Sequence, residues 1–87
     1  MKVKISFTNK SWEEYTSWID NRKILKRINK LIDEIKSNPV EGIGKPEPLK
    51  YNLAGFWSRR IDDEHRLVYT FNETEVVIIS CRYHYEK

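Results

Sequence analysis

The strongest constraint on this chain lies between Ile24 and Ile35. Ile24, Leu25, Ile28, Leu31, Ile32 and Ile35 recur at the spacing of one helix face, while Arg22, Lys23, Lys26, Arg27 and Lys30 take the other side. A helix with so broad an apolar stripe must bury it against another layer. Asp20 or Asn21 can cap its start, and it runs to about Lys36, because Ser37-Asn38-Pro39 ends it. A shorter helix precedes it. Thr8 is one candidate cap; Ser11 is the other, having capping-box spacing to Glu14. Trp12, Tyr15, Trp18 and Ile19 form its apolar stripe.

The partner layer is a sheet. Val3, Ile5 and Phe7 alternate with Lys2, Lys4 and Ser6, the period of a strand with one buried face. Three more strands are predicted over 56–61, 65–71 and 76 to about 83, with Asp62-Asp63-Glu64 and Asn72-Glu73-Thr74-Glu75 as turns. Val76 to Ile79 does not alternate and reads as covered on both faces. Between helix and strands, residues 38–55 hold all three prolines and all three glycines. A connection of that length is usually functional or mobile. The predicted fold is α+β in the order β-α-α-β-β-β, a small antiparallel sheet with two N-terminal helices, in a single domain spanning residues 1–87.

Composition narrows the function classes. The longest apolar run is four residues, too short to span a bilayer, and the N-terminus lacks the apolar stretch and small-residue cleavage site of a signal peptide. Cys81 is the single cysteine, so no intrachain disulfide can form; a cytoplasmic location and no membrane partner are expected. Two histidines and scattered carboxylates lack metal-ligand spacing, so no metal and no cofactor are expected. The net charge is +3; residues 1–40 carry nine basic and five acidic side chains, the remainder seven and eight. The basic side of the long helix is either a solvated surface or a face for RNA.

Reactive side chains concentrate in four stretches: Lys45-Pro46-Glu47 with Lys50, Trp57-Ser58-Arg59-Arg60, His65-Arg66, and Arg82-Tyr83-His84-Tyr85. Metal-free RNA cleavage needs a base for the 2′-OH, a cation for the phosphorane and an acid for the leaving 5′-oxygen. One carboxylate, one or two arginines and one histidine can supply them. On residues alone each has an ordinary alternative. Glu47 reads as a loop carboxylate, His84 as an exposed tail residue, Arg66 as an ion pair with Asp62 or Glu64, Tyr69 and Trp57 as packing, and Cys81 as a buried inert thiol. Composition and spacing leave a nuclease as one reading among several.

The same stretches carry a resemblance. Gly42-Ile43-Gly44-Lys45-Pro46-Glu47-Pro48-Leu49-Lys50, Gly55-Phe56-Trp57-Ser58-Arg59-Arg60-Ile61, Glu64-His65-Arg66-Leu67-Val68-Tyr69 and Cys81-Arg82-Tyr83-His84-Tyr85 resemble the motifs of the YoeB/Txe toxins, within the RelE/ParE superfamily of bacterial toxin–antitoxin systems. The resemblance implies an RNase cutting mRNA in the ribosomal A site, partnered by the ribosome and a YefM-like antitoxin, and leaves room for a homodimer. It implies Glu47 as general base, His84 as general acid, Arg66 as phosphorane stabiliser and Tyr85 as a positioning group. Lys45, Lys50, Arg60 and Arg82 become substrate contacts. A non-enzymatic ParE-like inhibitor and a plain RNA-binding module are the rivals.

One geometric demand follows. With a two-residue turn at Glu73-Thr74, simple pairing would set Arg66 opposite Cys81 and send His84 to the other face of the sheet. Shared chemistry requires a longer turn, a bulge, or an irregular strand end near Tyr83. An irregular register is therefore expected in this hairpin, with Arg66, His84 and Glu47 converging on one surface.

Overall fold

The computed structural model describes residues 3–83. Its elements run β1 (Lys4–Phe7), α1 (Asn9–Ser17), α2 (Arg22–Ser37), β2 (Glu47–Pro48), β3 (Trp57–Arg60), β4 (Arg66–Phe71) and β5 (Glu75–Ser80), with one 3-10 turn at Tyr51–Leu53. The strands form one sheet in the order β1-β5-β4-β3-β2. Both helices precede the main strands, as the periodicity indicated.

Two points refine the expected sheet. First, β1 lies parallel to β5, so the sheet is mixed. A strand's own alternation does not encode its neighbour's direction; that depends on where the intervening chain returns. Second, the glycine- and proline-rich connection contributes an edge strand, β2, which pairs antiparallel with β3 (Glu47 opposite Ser58, Pro48 opposite Trp57).

The caps were a choice of pairs, and the structure decides each. The Thr8 side chain accepts from Ser11 N–H and Asn21 from Ile24 N–H. Such caps satisfy orphan donors and stabilise a helix by about 1 kcal/mol each. Ser11 and Glu14 form no capping box. Ser11 is fully buried and donates to Ile78 O at 2.7 Å, while Glu14 accepts from Cys81 N–H at 2.8 Å. The aromatic stripe of α1 is buried only in part: Trp18 enters the core, whereas Trp12 is exposed and packs on Phe7 and Tyr15.

Ile28, Leu31, Ile32 and Ile35 of α2 bury against Leu67, Tyr69, Val76 and Ile78 of the sheet. Each such side chain contributes about 1.5–3 kcal/mol of transfer free energy. Val76 and Ile78 are fully buried, but Val77 and Ile79 are only half-buried. The expectation that this strand is covered on both faces is thus corrected: the helical layer covers one face only.

The β4–β5 hairpin has the two-residue turn, with Asn72 N–H donating to Glu75 O at 2.9 Å, and it has the irregularity. Phe71 faces Val76, Thr70 faces Val77 and Tyr69 faces Ile78, but Val68 faces Ser80, leaving Ile79 as the extra residue of a bulge. Past the bulge Arg66 does not meet Cys81; its N–H donates to Tyr83 O at 3.0 Å.

Arg59 holds the connection against the sheet. Its side chain is fully buried, and all five guanidinium donors can be accounted for. Nε donates to Tyr69 Oη (3.1 Å), Nη1 to Glu34 Oε1 (3.2 Å) and Ile43 O (3.3 Å), and Nη2 to Asn38 O (2.6 Å) and Glu41 O (2.9 Å). Tyr69 Oη donates in turn to Pro39 O. Gly42, at φ +126°, is confined to glycine twice over, because a Cβ there would collide with the Glu34 carboxylate.

Replacing Arg59 with Leu should cost about 3–5 kcal/mol, the range for breaking a buried pair and stranding its partners. Arg59→Lys, which keeps charge without the fork, should recover only part of that loss. Urea denaturation of the two variants measures both; a loss below 1 kcal/mol for Leu would mean the loop stands without the clamp.

Candidate active site

Register assigns the faces. Directly paired residues share a face, and so do residues two apart on one strand. Glu47 faces Ser58, Ser58 faces Val68, and Arg60 faces Arg66. Glu47, Arg60 and Arg66 therefore lie on one face of the sheet, opposite to that of Arg59, Leu67 and Tyr69, which the helices cover. A carboxylate and two guanidinium groups share the side free of helices.

Glu47 is exposed and belongs to a groove of about 560 Å³ lined by Glu47, Pro48, Leu49, Lys50, Tyr51, Asn52 and Leu53. Leu49 is buried and fastens the segment, and its N–H donates to Phe56 O. Lys45 and Lys50 flank Glu47 and are both exposed. Arg60 is exposed at its side chain and tied down at its backbone: N–H donates to Gly44 O, and its carbonyl accepts from Arg27 Nη2 at 3.2 Å.

Arg66 is half-buried. Its Nη1 donates to the carbonyls of Asp62 (2.8 Å) and His65 (3.1 Å), not to a carboxylate. The ion pair with Asp62 or Glu64 is thus not formed. Asp62 instead accepts the N–H groups of Glu64 and His65, closing the β3–β4 turn. Partial burial by itself would raise the Asp62 carboxyl, but those two backbone hydrogen bonds, with the nearby Arg66 guanidinium, hold it below the usual carboxylate range.

Arg82 is engaged elsewhere. Its guanidinium lies 4.0 Å from the centre of the Trp18 ring and donates to Ser17 Oγ at 2.9 Å. That contact is with α1, whereas Glu47 lies across the sheet on β2. His84 and Tyr85 fall outside the described residues, so the expected convergence of His84 with Arg66 and Glu47 falls there too. Among the described residues no group of three or more His, Cys, Asp or Glu comes together as a candidate metal site, and no helix is long and apolar enough to cross a membrane.

Backbone strain marks the same region. Lys45 (φ 51°), Tyr51 (φ 59°) and Tyr83 (φ 64°) are the non-glycine residues at positive φ among those described. Two flank Glu47 in the chain and the third precedes His84. Such outliers cost on the order of 1–3 kcal/mol each and collect at functional sites. The residue pattern pointed to none of them. It also missed Arg59, whose burial needs tertiary contacts to be seen, and the role of His65, for which its place beside Arg66 was the one signal.

Residues 7–85 match the model of the YoeB-like toxins of bacterial type II toxin–antitoxin systems. The chain is 57% identical to a YoeB toxin of Synechocystis over 98% of this chain and all of that protein, and 50% identical to the YoeB toxin of Escherichia coli K12 over 95% of this chain and all of that one. Among solved structures, a YoeB/ParE toxin from Agrobacterium tumefaciens superposes with a TM-score of 0.91 at 43% identity, covering 95% of this chain and all of that one. A Staphylococcus aureus YoeB–YefM complex matches at 0.88 and 47% identity, covering 98% and 100%.

Cys81 is separate from this chemistry. It is fully buried; burial, reinforced by the Glu14 carboxylate and partly offset by Arg82, pushes its thiol up to about 12. In the native protein at neutral pH it should resist alkylation by iodoacetamide, with labelling appearing only as urea unfolds the chain. Stoichiometric labelling of folded protein, read by mass, would contradict this burial.

Proposed function

This chain belongs to the YoeB-like toxins of bacterial type II toxin–antitoxin systems, and from that membership we propose that it is an endoribonuclease acting on mRNA in the ribosomal A site. Glu47 takes the proton of a ribose 2′-OH. The 2′-oxygen attacks the adjacent phosphorus, and Arg66 stabilises the charge gathered on the phosphorane. His84 protonates the departing 5′-oxygen, so the products are a 2′,3′-cyclic phosphate and a 5′-OH end. Tyr85 positions the substrate, and Lys45, Lys50 and Arg60 hold flanking phosphates. The scheme uses no metal ion.

The observation that carries the reading is the shared sheet face of Glu47, Arg60 and Arg66, with Glu47 opening into a groove flanked by lysines. A base and the cations for a phosphorane are thereby offered from one side. The bulge at Ile79 supports it as well, since it breaks the pairing that would have set Arg66 against Cys81. Arg82, committed to Trp18, is left out of the substrate contacts. A YefM-like antitoxin is the proposed neutralising partner, as the Staphylococcus aureus relative forms a YoeB–YefM complex; a homodimer is proposed on the same basis, because a YoeB dimer from that organism superposes at a TM-score of 0.90.

Mapping 5′ ends on an mRNA incubated with ribosomes and this protein, with and without chelator, tests the activity directly. Glu47→Gln preserves size and should lower cleavage at least ~10²-fold, as for loss of a general base; near-normal cutting by the folded variant would remove Glu47 from the mechanism. Arg66→Ala should reduce kcat by more than it weakens ribosome binding, because phosphorane charge exceeds that of the ground-state phosphate. A loss confined to binding would make Arg66 a docking contact.

A further inference from the structure

His65 is a buried titratable group that the proposed chemistry does not use, being only 7% exposed. Its Nδ1 accepts the backbone N–H of Tyr83 at 2.7 Å. An imidazole nitrogen that accepts carries no proton, so this geometry fixes the ring as the neutral tautomer with its hydrogen on Nε2. That second nitrogen lies 3.7 Å from Glu64 Oε1. The ring itself is held edge-on to Trp18, with centroids 4.8 Å apart.

The same tryptophan fastens the neighbouring chain. Trp18 Nε1 donates to Cys81 O at 3.0 Å, and Arg82 covers its ring. Cys81 N–H is held by Glu14. Tyr83 is thus gripped on both sides of its Cα by consecutive residues: its N–H by the His65 ring and its carbonyl by Arg66 N–H at 3.0 Å. That carbonyl belongs to the peptide bond leading into His84. Tyr83 needs the grip, because at φ 64° it sits where L side chains are disfavoured.

We propose that His65 is a positioning residue: its unprotonated Nδ1 holds Tyr83 in the strained conformation that sets where the chain stands one residue before His84. The functional part of this assignment rests on the RNA-cleavage reading above; the structural part does not. Residues 65 and 66 then act as a pair. The first holds the backbone that leads to the acid, and the second supplies both the cation for the phosphorane and the other backbone hydrogen bond. The backbone of Tyr83 is thereby tied directly to the strand that carries the cation.

Two variants separate positioning from bulk packing. In His65→Asn the side-chain Oδ1 can take the place of Nδ1 as acceptor; His65→Leu fills the volume without one. Amide hydrogen exchange by NMR should show Tyr83 N–H exchanging about tenfold faster in the Leu variant, the effect of losing one net hydrogen bond, with native protection largely kept in Asn. In the ribosome cleavage assay His65→Leu should lose kcat on the order of 10²-fold with KM little changed, as for displaced reacting groups, and Asn should restore much of it. Equal exchange at Tyr83 in wild type and Leu, or equal loss of kcat in Leu and Asn, would overturn the proposal. If the Leu variant fails to fold, the wild-type protein decides it: ring 15N shifts must report the Nε2–H tautomer of His65 at mildly alkaline pH, and an Nδ1–H tautomer there would refute the contact. Absence of any cleavage by wild type would refute the nuclease reading alone, since the exchange and tautomer measurements stand without it.

Discussion

The buried guanidinium of Arg59 is the interaction on which the rest of the molecule depends. In the segment between α2 and β3 only Leu49 is buried, with Ile43 packed in part against the core, so hydrophobic packing fastens it at few points. A planar fork with five donors adds more, because it satisfies three loop carbonyls, a carboxylate and a phenol from one buried point. Taking that charge out of water is expensive, and the cost is offset only when every donor finds a partner. Glu34 completes the arrangement by bonding both to Arg59 and to the Ile43 N–H, which locks α2 to the loop. The polar clamp and the α2 core are thus one structure.

From that clamp the site follows by alternation. Arg59 points into the core; Arg60 beside it must point out, and its backbone N–H fixes Gly44. The chain is then delivered to the sheet edge, where Glu47 pairs with Ser58 on the same face as Arg60. One arginine organises the loop and its neighbour faces the groove side. Strand parity alone sends one of two identical side chains into the core and the other outward.

The far end of the site is organised differently. Here α1 supplies the anchors: Ser11 to Ile78 O, Glu14 to Cys81 N–H, Trp18 to Cys81 O and Ser17 to Arg82. A bulge at Ile79 releases β5 from strict pairing, after which Tyr83 is held by His65 and Arg66. The N-terminal helix, which carries no proposed reacting group, stabilises the segment leading to the C-terminal one.

Much of this was legible in residue pattern. The stripe of α2, the period-two alternation of β1, and the turns at Asp62-Asp63-Glu64 and Asn72–Glu75 are local, because helix and strand periods are imposed by backbone geometry that each residue carries with it. The reactive stretches were also visible as clusters of chemistry, and an irregular hairpin followed from strand parity once the family resemblance had put Arg66 and His84 in one site. What the chain's order could not express was pairing across distance. Whether β1 runs parallel to β5, whether Glu14 caps its own helix or reaches Cys81, and which of two adjacent arginines is buried each depend on contacts between residues far apart in sequence. Those were decided only when the layers packed, because a buried polar group takes whichever partner the tertiary structure brings within hydrogen-bond distance. Sequence determined the elements and the inventory of carboxylate, imidazole and guanidinium groups; tertiary structure decided which of the described ones share a face.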